Sequence, residues 1–324
     1  MASPSTLEPR LPAELERIVF EEAAAVEPRR VAELMLVASR VREWLEPLLY
    51  RIVASRDTWI RKTSSLDARF PSTFVTVLMK DKAESFLKSA VQVVLLAQKD
   101  AHYMEKIIPV CTKIHTLVVE APMNETWEQH LPALNKLTAL RRLCIPVLHL
   151  FPCPSGELPA PDVSIRLFAT LTHLELLDYP RTQEHALILL NKLATLSSLT
   201  HLAFQGSTMI STLAQLLNPA VFFPQAPKKP RWGPHIQCLV VASEPDSFDG
   251  DRSLGKMLAV DPRVVVIARR GLVTTWMDEK RGFWAIADSL LKAKKDGTVA
   301  ESEYAVEDYK IKWKENGLPE FKFK

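Results

Sequence analysis

A short apolar motif recurs seven times along this chain and constrains its fold more than any other feature. Each copy is a triplet with apolar outer residues, and successive copies begin 23 to 37 residues apart. The triplets are 94–96, 117–119, 143–145, 174–176, 202–204, 239–241 and 265–267. The stretches between them have helical apolar spacing. Alternating short strands and helices predict an α/β fold with one parallel sheet and helices on one side.

Three of the triplets extend to the pattern L-x-x-L-x-x-L-x-L, with Phe or Ile at some positions. They are Leu137/Leu140/Leu143/Ile145, Phe168/Leu171/Leu174/Leu176 and Leu196/Leu199/Leu202/Phe204. This pattern resembles degenerate leucine-rich repeats, whose units span about 20–29 residues. The resemblance implies an irregular solenoid over residues 91–277, because several spacings exceed that period.

Strand alternation predicts which side chains share the face opposite the helices. Through the middle of the sheet that face carries a polar cluster, comprising Arg142, His173, Glu175, His201 and Gln205. We expect these side chains to meet, because neighbouring strands lie about 4.8 Å apart. A recognition patch for a protein substrate and a merely solvated surface are both open interpretations. Imidazole and carboxylate groups also bind metals, but Leu-Thr-His-Leu occurs in two units as repeat decoration, so we expect no metal.

The outer strands of the predicted sheet are apolar on both faces. On the same face as the polar cluster, the alternation places Val264, Val266 and Ala268 of the last strand. Strands buried on both sides read as continuous apolar runs. We therefore expect something to cover the outer strands.

The N-terminal segment predicts three helices, beginning near Leu11, near Arg29 and at Ser39. Residues 10–60, with a Leu11-Pro12 start and an amphipathic helix behind it, resemble an F-box. The string 44–51 (WLEPLLYR) is similar to the F-box-like segment of an uncharacterised set of proteins from mushroom-forming fungi. Those proteins usually continue into degenerate leucine-rich repeats.

The F-box resemblance implies a substrate-receptor subunit of a Skp–cullin–F-box ubiquitin ligase. In that family the Leu-Pro corner and adjoining helix faces pack on a Skp-type adaptor, which implicates Leu11, Pro12, Leu15 and Ile18. An unknown protein substrate would bind the solenoid, and the chain would be neither an enzyme nor a cofactor carrier. The alternative is a non-catalytic binding scaffold whose helices cap the solenoid and have no ligase role.

The remaining segments complete the predicted domain organisation. Residues 1–9 are expected to be flexible and 61–90 to form a helical linker. An amphipathic capping helix is predicted over 278–296, ended by Gly297. The basic and aromatic tail, 297–324, is expected either to be mobile or to pack back on the solenoid.

Composition excludes several functional classes. The net charge of +3 is spread along the chain, so no nucleic-acid footprint is expected. No apolar run reaches the roughly 18 residues of a membrane span, and the first five residues lack the features of a secretory signal. The four cysteines form no C-x-x-C pair, which favours buried thiols in the cytoplasm or nucleus. We expect a monomer in the free state. Because the sequence has no G-x-S-x-G nucleophile elbow, we expect no hydrolase chemistry.

Overall fold

The computed structural model describes most of the chain between residues 11 and 321. The described ranges are 11–27, 30–54, 73–74, 82–96, 104–119, 131–147, 166–177, 182–204, 207–217, 232–243, 261–268, 282–307, 311–313 and 319–321. Residues 1–9 lie outside these ranges, as does much of the predicted linker.

A ten-stranded sheet organises the molecule, and every adjacent pair in it is parallel. Its strands are β1 (Ile52–Ala54), β2 (Thr73–Phe74), β3 (Val93–Leu96), β4 (Thr116–Val119), β5 (Arg142–Ile145), β6 (His173–Leu176), β7 (His201–Phe204), β8 (Cys238–Ser243), β9 (Val264–Ala268) and β10 (Ala305–Glu307). From β3 to β10 spatial order follows chain order, with β1 beside β3 and β2 at the edge. The prediction of one parallel sheet is confirmed, and all seven apolar triplets lie in its strands.

Helices precede, connect and follow these strands. They are α1 (Ala13–Val26), α2 (Val31–Leu34), α3 (Ser39–Leu49), α4 (Glu84–Ala90), α5 (Met104–Ile107), α6 (Leu131–Leu134), α7 (Arg166–Ala169), α8 (Gln183–Leu193), α9 (Ser207–Leu217) and α10 (Phe283–Lys295). A separate antiparallel pair, β11 (Lys312–Trp313) and β12 (Pro319–Glu320), lies in the tail.

The leucine pattern has a direct structural cause. Leu196, Leu199 and Leu202 are all buried, and successive turns link Leu196 N–H to the Leu193 carbonyl and Leu199 N–H to that of Leu196. At the strand start, the Thr172 carbonyl accepts two N–H groups from the next unit, at 3.0 and 2.9 Å. The carbonyls of Gln92, His115 and Arg141 likewise each accept two N–H groups from the next unit. Each unit is thus positioned on its neighbour.

The two faces of the sheet are covered by different parts of the chain. One face packs with the connecting helices in the larger apolar core. The other face forms a second apolar core that runs from Ile52 of β1 to Val306 of β10, and α10 contributes Phe283, Trp284, Ile286, Ala287 and Leu290 to it. The expectation that something covers this face is confirmed. The predicted capping helix therefore lies on the face of the sheet, with most contacts to β8 and β9, and not across its final edge.

The predicted alternation of the last strand is wrong by one residue. Val264 pairs with Leu239, not with Cys238. Val264, Val266 and Ala268 consequently belong to the helix-side core, while Val265 and Ile267 face α10. Because all five residues of β9 are buried apolar side chains, the sequence carries no alternation that sets its register.

Residues outside the predicted solenoid extend the sheet at both ends. Residues 52–54, predicted within the N-terminal helical module, form β1 and pair with β3. Residues 73–74, predicted within a helical linker, form the edge strand β2, and only 84–90 of that linker are described as a helix. In the tail, 305–307 form β10, and Ile311 and Phe321 pack against the α10 core. The described part of the tail thus packs back on the sheet, one of its two expected states.

The N-terminal helices have a small core of their own. Ala24, Val31, Val41 and Leu45 are its fully buried members. Helix α3 also packs on α4, where the Tyr50 and Phe86 rings meet edge to face at 5.3 Å. The helical module is therefore joined to the first sheet unit by side-chain packing.

Candidate functional site

The structure assembles most of the predicted polar cluster at the N-terminal ends of β5, β6 and β7. Arg142 pairs in register with His173, and His173 pairs with His201. Glu175 lies two residues further along β6. Gln205 falls outside the described residues. The sequence thus predicted this juxtaposition, because the repeat fixes register through the central strands.

The cluster does not form the open surface that the sequence suggested. Glu175 is fully buried and His201 is 8% exposed. Trp284 of α10 approaches both histidines edge-on, with ring centroids 5.2 Å from His173 and 5.6 Å from His201. Arg142 and His173 are partly exposed, as expected for a half-exposed face, but the burial of Glu175 and His201 was not predictable, because no sequence pattern indicates where α10 packs.

The two histidines stack on each other beneath α10. Their ring centroids are 4.0 Å apart and their planes differ by 11°. Burial lowers the pKa of His173 to about 2, with smaller contributions from His201 and Arg142. His173 is therefore a neutral imidazole at physiological pH.

The threonine before each histidine sets the orientation of the imidazole. The Thr200 hydroxyl donates to the Thr172 carbonyl at 3.2 Å, and its oxygen lies 2.7 Å from Nδ1 of His201. The hydroxyl can donate either to that carbonyl or to Nδ1, so these contacts allow both tautomers of His201 and direct Nε2 towards α10. The Thr172 hydroxyl makes the equivalent contacts, and its oxygen lies 2.8 Å from Nδ1 of His173. The repeated Thr-His pair thus fixes the orientation of the ring.

Asp288 and Cys238 converge on the free side of His201. Asp288 Oδ1 of α10 lies 2.9 Å from His201 Nε2. The potential ligand atoms of His201, Asp288 and Cys238 all lie within 4.8 Å of one another. Sequence reasoning missed this trio because Asp288 is 87 residues from His201 in the chain, and no local motif links them.

The trio lacks the geometry of a nucleophilic cysteine site. In such a site one imidazole nitrogen activates the thiol and the other is held by an orienting group. Here Nδ1 faces Thr200 and Nε2 faces Asp288. Burial, and secondarily Asp288, raise the pKa of Cys238 well above its usual value, whereas a reactive thiol needs a lowered pKa and access.

A second candidate site is the outer face of α1. Leu11, Leu15, Ile18 and Val19 lie along one side of the helix and are 47% to 56% exposed. Pro12 is also exposed, and its carbonyl accepts Leu15 N–H and Glu16 N–H, each at 3.0 Å. All four predicted adaptor-contacting residues therefore lie on the surface of the described structure.

The opposite face of α1 holds the helix against its neighbours. Ala24 is buried there and Phe20 packs beside it. Arg40 donates to both carboxylate oxygens of Glu16, at 2.9 and 2.8 Å. This packing directs the apolar side of α1 outward, although an isolated amphipathic pattern would suggest that its apolar stripe is the buried one.

Comparisons with known proteins return no match: no family profile, no curated protein and no solved structure is similar to this chain. Among the helices that the structure describes, none combines the length and apolar character needed to cross a membrane.

Proposed function

We propose that this chain is a substrate-receptor subunit of a Skp–cullin–F-box type ubiquitin ligase, with α1 to α3 as an F-box-like docking module. The observation that carries the proposal is the exposed apolar face at the Leu11-Pro12 corner of α1. Contiguous exposed apolar side chains are typical of protein-interaction surfaces. The resemblance of residues 10–60 to an F-box supplies the kind of partner.

The packing of α3 supports this proposal at the other end of the module. Lys82 donates to Glu46 of α3 at 2.9 Å, beside the Tyr50–Phe86 contact. A module fixed in this way would hold the sheet at a defined position relative to the adaptor. Ubiquitin transfer by other subunits would gain from the resulting proximity of a bound substrate.

Most of the substrate-binding residues expected from the sequence lie beneath a covering helix. Arg142, His173, Glu175 and His201 lie on the face that α10 covers. Direct substrate binding by this cluster remains a prediction and would require α10 to move. The solenoid-like sheet domain stays our proposed carrier of the substrate.

The alternative function is a protein-binding scaffold in which the helical module only caps the sheet. That function predicts burial of Leu11, Pro12 and Leu15 against the first repeat. Their exposure favours the docking function, and the α3–α4 contact already serves to attach the module.

Co-purification with a Skp-type adaptor tests the proposed function. We expect the wild-type chain to capture the adaptor and Leu15→Asp/Ile18→Asp to weaken capture by on the order of a hundredfold, from about 1.5 kcal/mol or more per apolar side chain. Leu187→Asp/Ile188→Asp on α8, at 38% and 36% exposure, is the matched control and should bind normally. Leu11→Ala/Pro12→Ala tests the corner itself.

Two outcomes would overturn the docking function. One is failure of the wild-type chain to capture the adaptor. The other is equal capture by the wild type and the α1 variant. Thermal unfolding of each variant should match the wild type, because the substituted side chains are exposed.

A further inference from the structure

We propose that His201, Cys238 and Asp288 form a zinc-binding site that ties α10 to strands β7 and β8. The three residues offer an imidazole nitrogen, a sulfur and a carboxylate oxygen within 4.8 Å of one another. This donor set suits zinc, which binds Cys, His and Asp side chains, usually with four ligands. Magnesium and calcium prefer oxygen ligands alone.

The Nε2 atom of His201 faces the Asp288 carboxylate at 2.9 Å, while Nδ1 contacts the Thr200 hydroxyl. In the tautomer with the proton on Nε2, this nitrogen donates to Asp288; in the other tautomer Nε2 presents a lone pair, and a metal ion would take the place of the proton. A metal-binding histidine characteristically donates its other N–H to an oxygen, and the Thr200 oxygen is placed to accept it.

The distance between His201 and Asp288 requires only a small adjustment. Zinc bonds of about 2.0–2.1 Å at tetrahedral angles separate nitrogen and oxygen ligands by roughly 3.3 Å. The His201–Asp288 pair at 2.9 Å must therefore open by about 0.4 Å. The Asp288 side chain is 53% exposed, so it has room to move and gives the ion a route of entry.

The covering helix supplies one ligand and the sheet supplies two. His201 begins β7, and Cys238, paired with it in register, begins β8. Asp288 lies in the middle of α10. An ion held by all three would fasten α10 over the stacked histidines, and the Cys238 thiol would lose its proton to solvent on binding.

Metal titration of the full-length, untagged protein tests this site. After chelator treatment, we expect one equivalent of zinc to bind and to raise the melting temperature, since a ligand bound only to the folded state stabilises it. Cobalt(II) in place of zinc should give the near-ultraviolet absorption of a thiolate complex. Cys238→Ser should abolish that absorption, and Asp288→Asn should weaken zinc binding at least about tenfold.

Matched variants separate this site from others. Cys144→Ser, a buried thiol on the same face, and Asp296→Asn, an exposed carboxylate at the end of α10, should bind zinc as the wild type does. If Cys238→Ser does not fold, the zinc affinity of Asp288→Asn alone tests the site. Failure of the wild type to bind an equivalent of zinc overturns the site, as does binding that Asp288→Asn leaves unchanged.

Discussion

At the scale of single residues, the guanidinium of Arg263 shows how a buried charge is held by its surroundings. It forms two bonds to the Asp261 carboxylate, at 2.9 and 2.7 Å. The remaining bonds go to the carbonyls of Gly233, Ile236 and Trp232, at 2.7 to 3.0 Å. All five of its N–H groups are thus satisfied. The side chain holds the turn before β8 against the turn before β9.

We expect Arg263→Ala to lower the free energy of unfolding by about 3–5 kcal/mol, because it removes the guanidinium from three carbonyls and from the buried Asp261 carboxylate, which keeps the N–H of residue 263 but loses its cation. Arg263→Lys should cost less, since it keeps the charge but not the planar fork. Urea denaturation measures both, with the exposed Arg166→Ala as the control. A loss below about 1 kcal/mol for Arg263→Ala would mean that water replaces the guanidinium.

At the scale of elements, the end of α10 shows how one glycine terminates a helix. Gly297 has φ +71°. Its N–H binds the Lys294 carbonyl at 3.0 Å, while Thr298 N–H binds that of Ala293 at 2.9 Å. These two bonds define a Schellman motif. The prediction that Gly297 ends this helix is confirmed.

Gly297→Ala should lower the free energy of unfolding by about 1–2 kcal/mol, the cost of a left-handed conformation for a residue with a Cβ. The cause is purely conformational, because a Cβ at this position meets no atom within 4 Å. Gly297→Asn should cost less, as Asn tolerates this conformation. Thermal denaturation compares the two variants, and equal losses would contradict the backbone explanation.

The same helix marks the limit of prediction from the sequence. Phe283, Ile286 and Leu290 form the apolar stripe of the amphipathic helix predicted over 278–296, and all three are buried. The stripe does not say against what they pack, because an amphipathic pattern is the same at an edge or on a face. The first six strand triplets were predictable since their outer apolar residues all face the helix-side core, whereas Val265 and Ile267 of the seventh face α10. The short strands β1, β2 and β10 carry too few residues for such a pattern.

At the scale of the whole molecule, the repeat predicts neighbours within the sheet but not contacts between distant segments. Arg142, His173 and His201 were predicted as neighbours because parallel pairing places equivalent repeat positions side by side. Cys238 belongs to the same row, one strand further on. Asp288 does not, and its approach to His201 depends on how α10 docks. The candidate metal site could therefore be recognised from the folded structure but not from the sequence.

The junction between the helical module and the sheet includes a charged contact that the repeat also could not predict. Glu46 of α3 accepts from Lys82 at 2.9 Å. Lys82 in turn lies 5.0 Å from the Tyr50 ring and 5.4 Å from that of Phe86. The hydrogen bond from Lys82, and the charges of Lys82 and Arg42, lower the pKa of Glu46, and the same contact raises the pKa of Lys82.

This contact should make the stability of the junction depend on pH. Since the pKa of Glu46 is lower in the folded chain than its ordinary value of 4.5, its contribution is complete above that value and disappears as the pH falls through the folded pKa. We expect Glu46→Gln to be less stable than the wild type by about 0.2–1 kcal/mol at pH 7, and this deficit should shrink as the pH falls below 4.5. Glu43→Gln, exposed on the same helix, is the control. The free energy of unfolding measured at pH 7, 5 and 3 tests this prediction. A Glu46→Gln deficit that stays constant across this range would mean that packing, and not the ion pair, joins the module to the sheet.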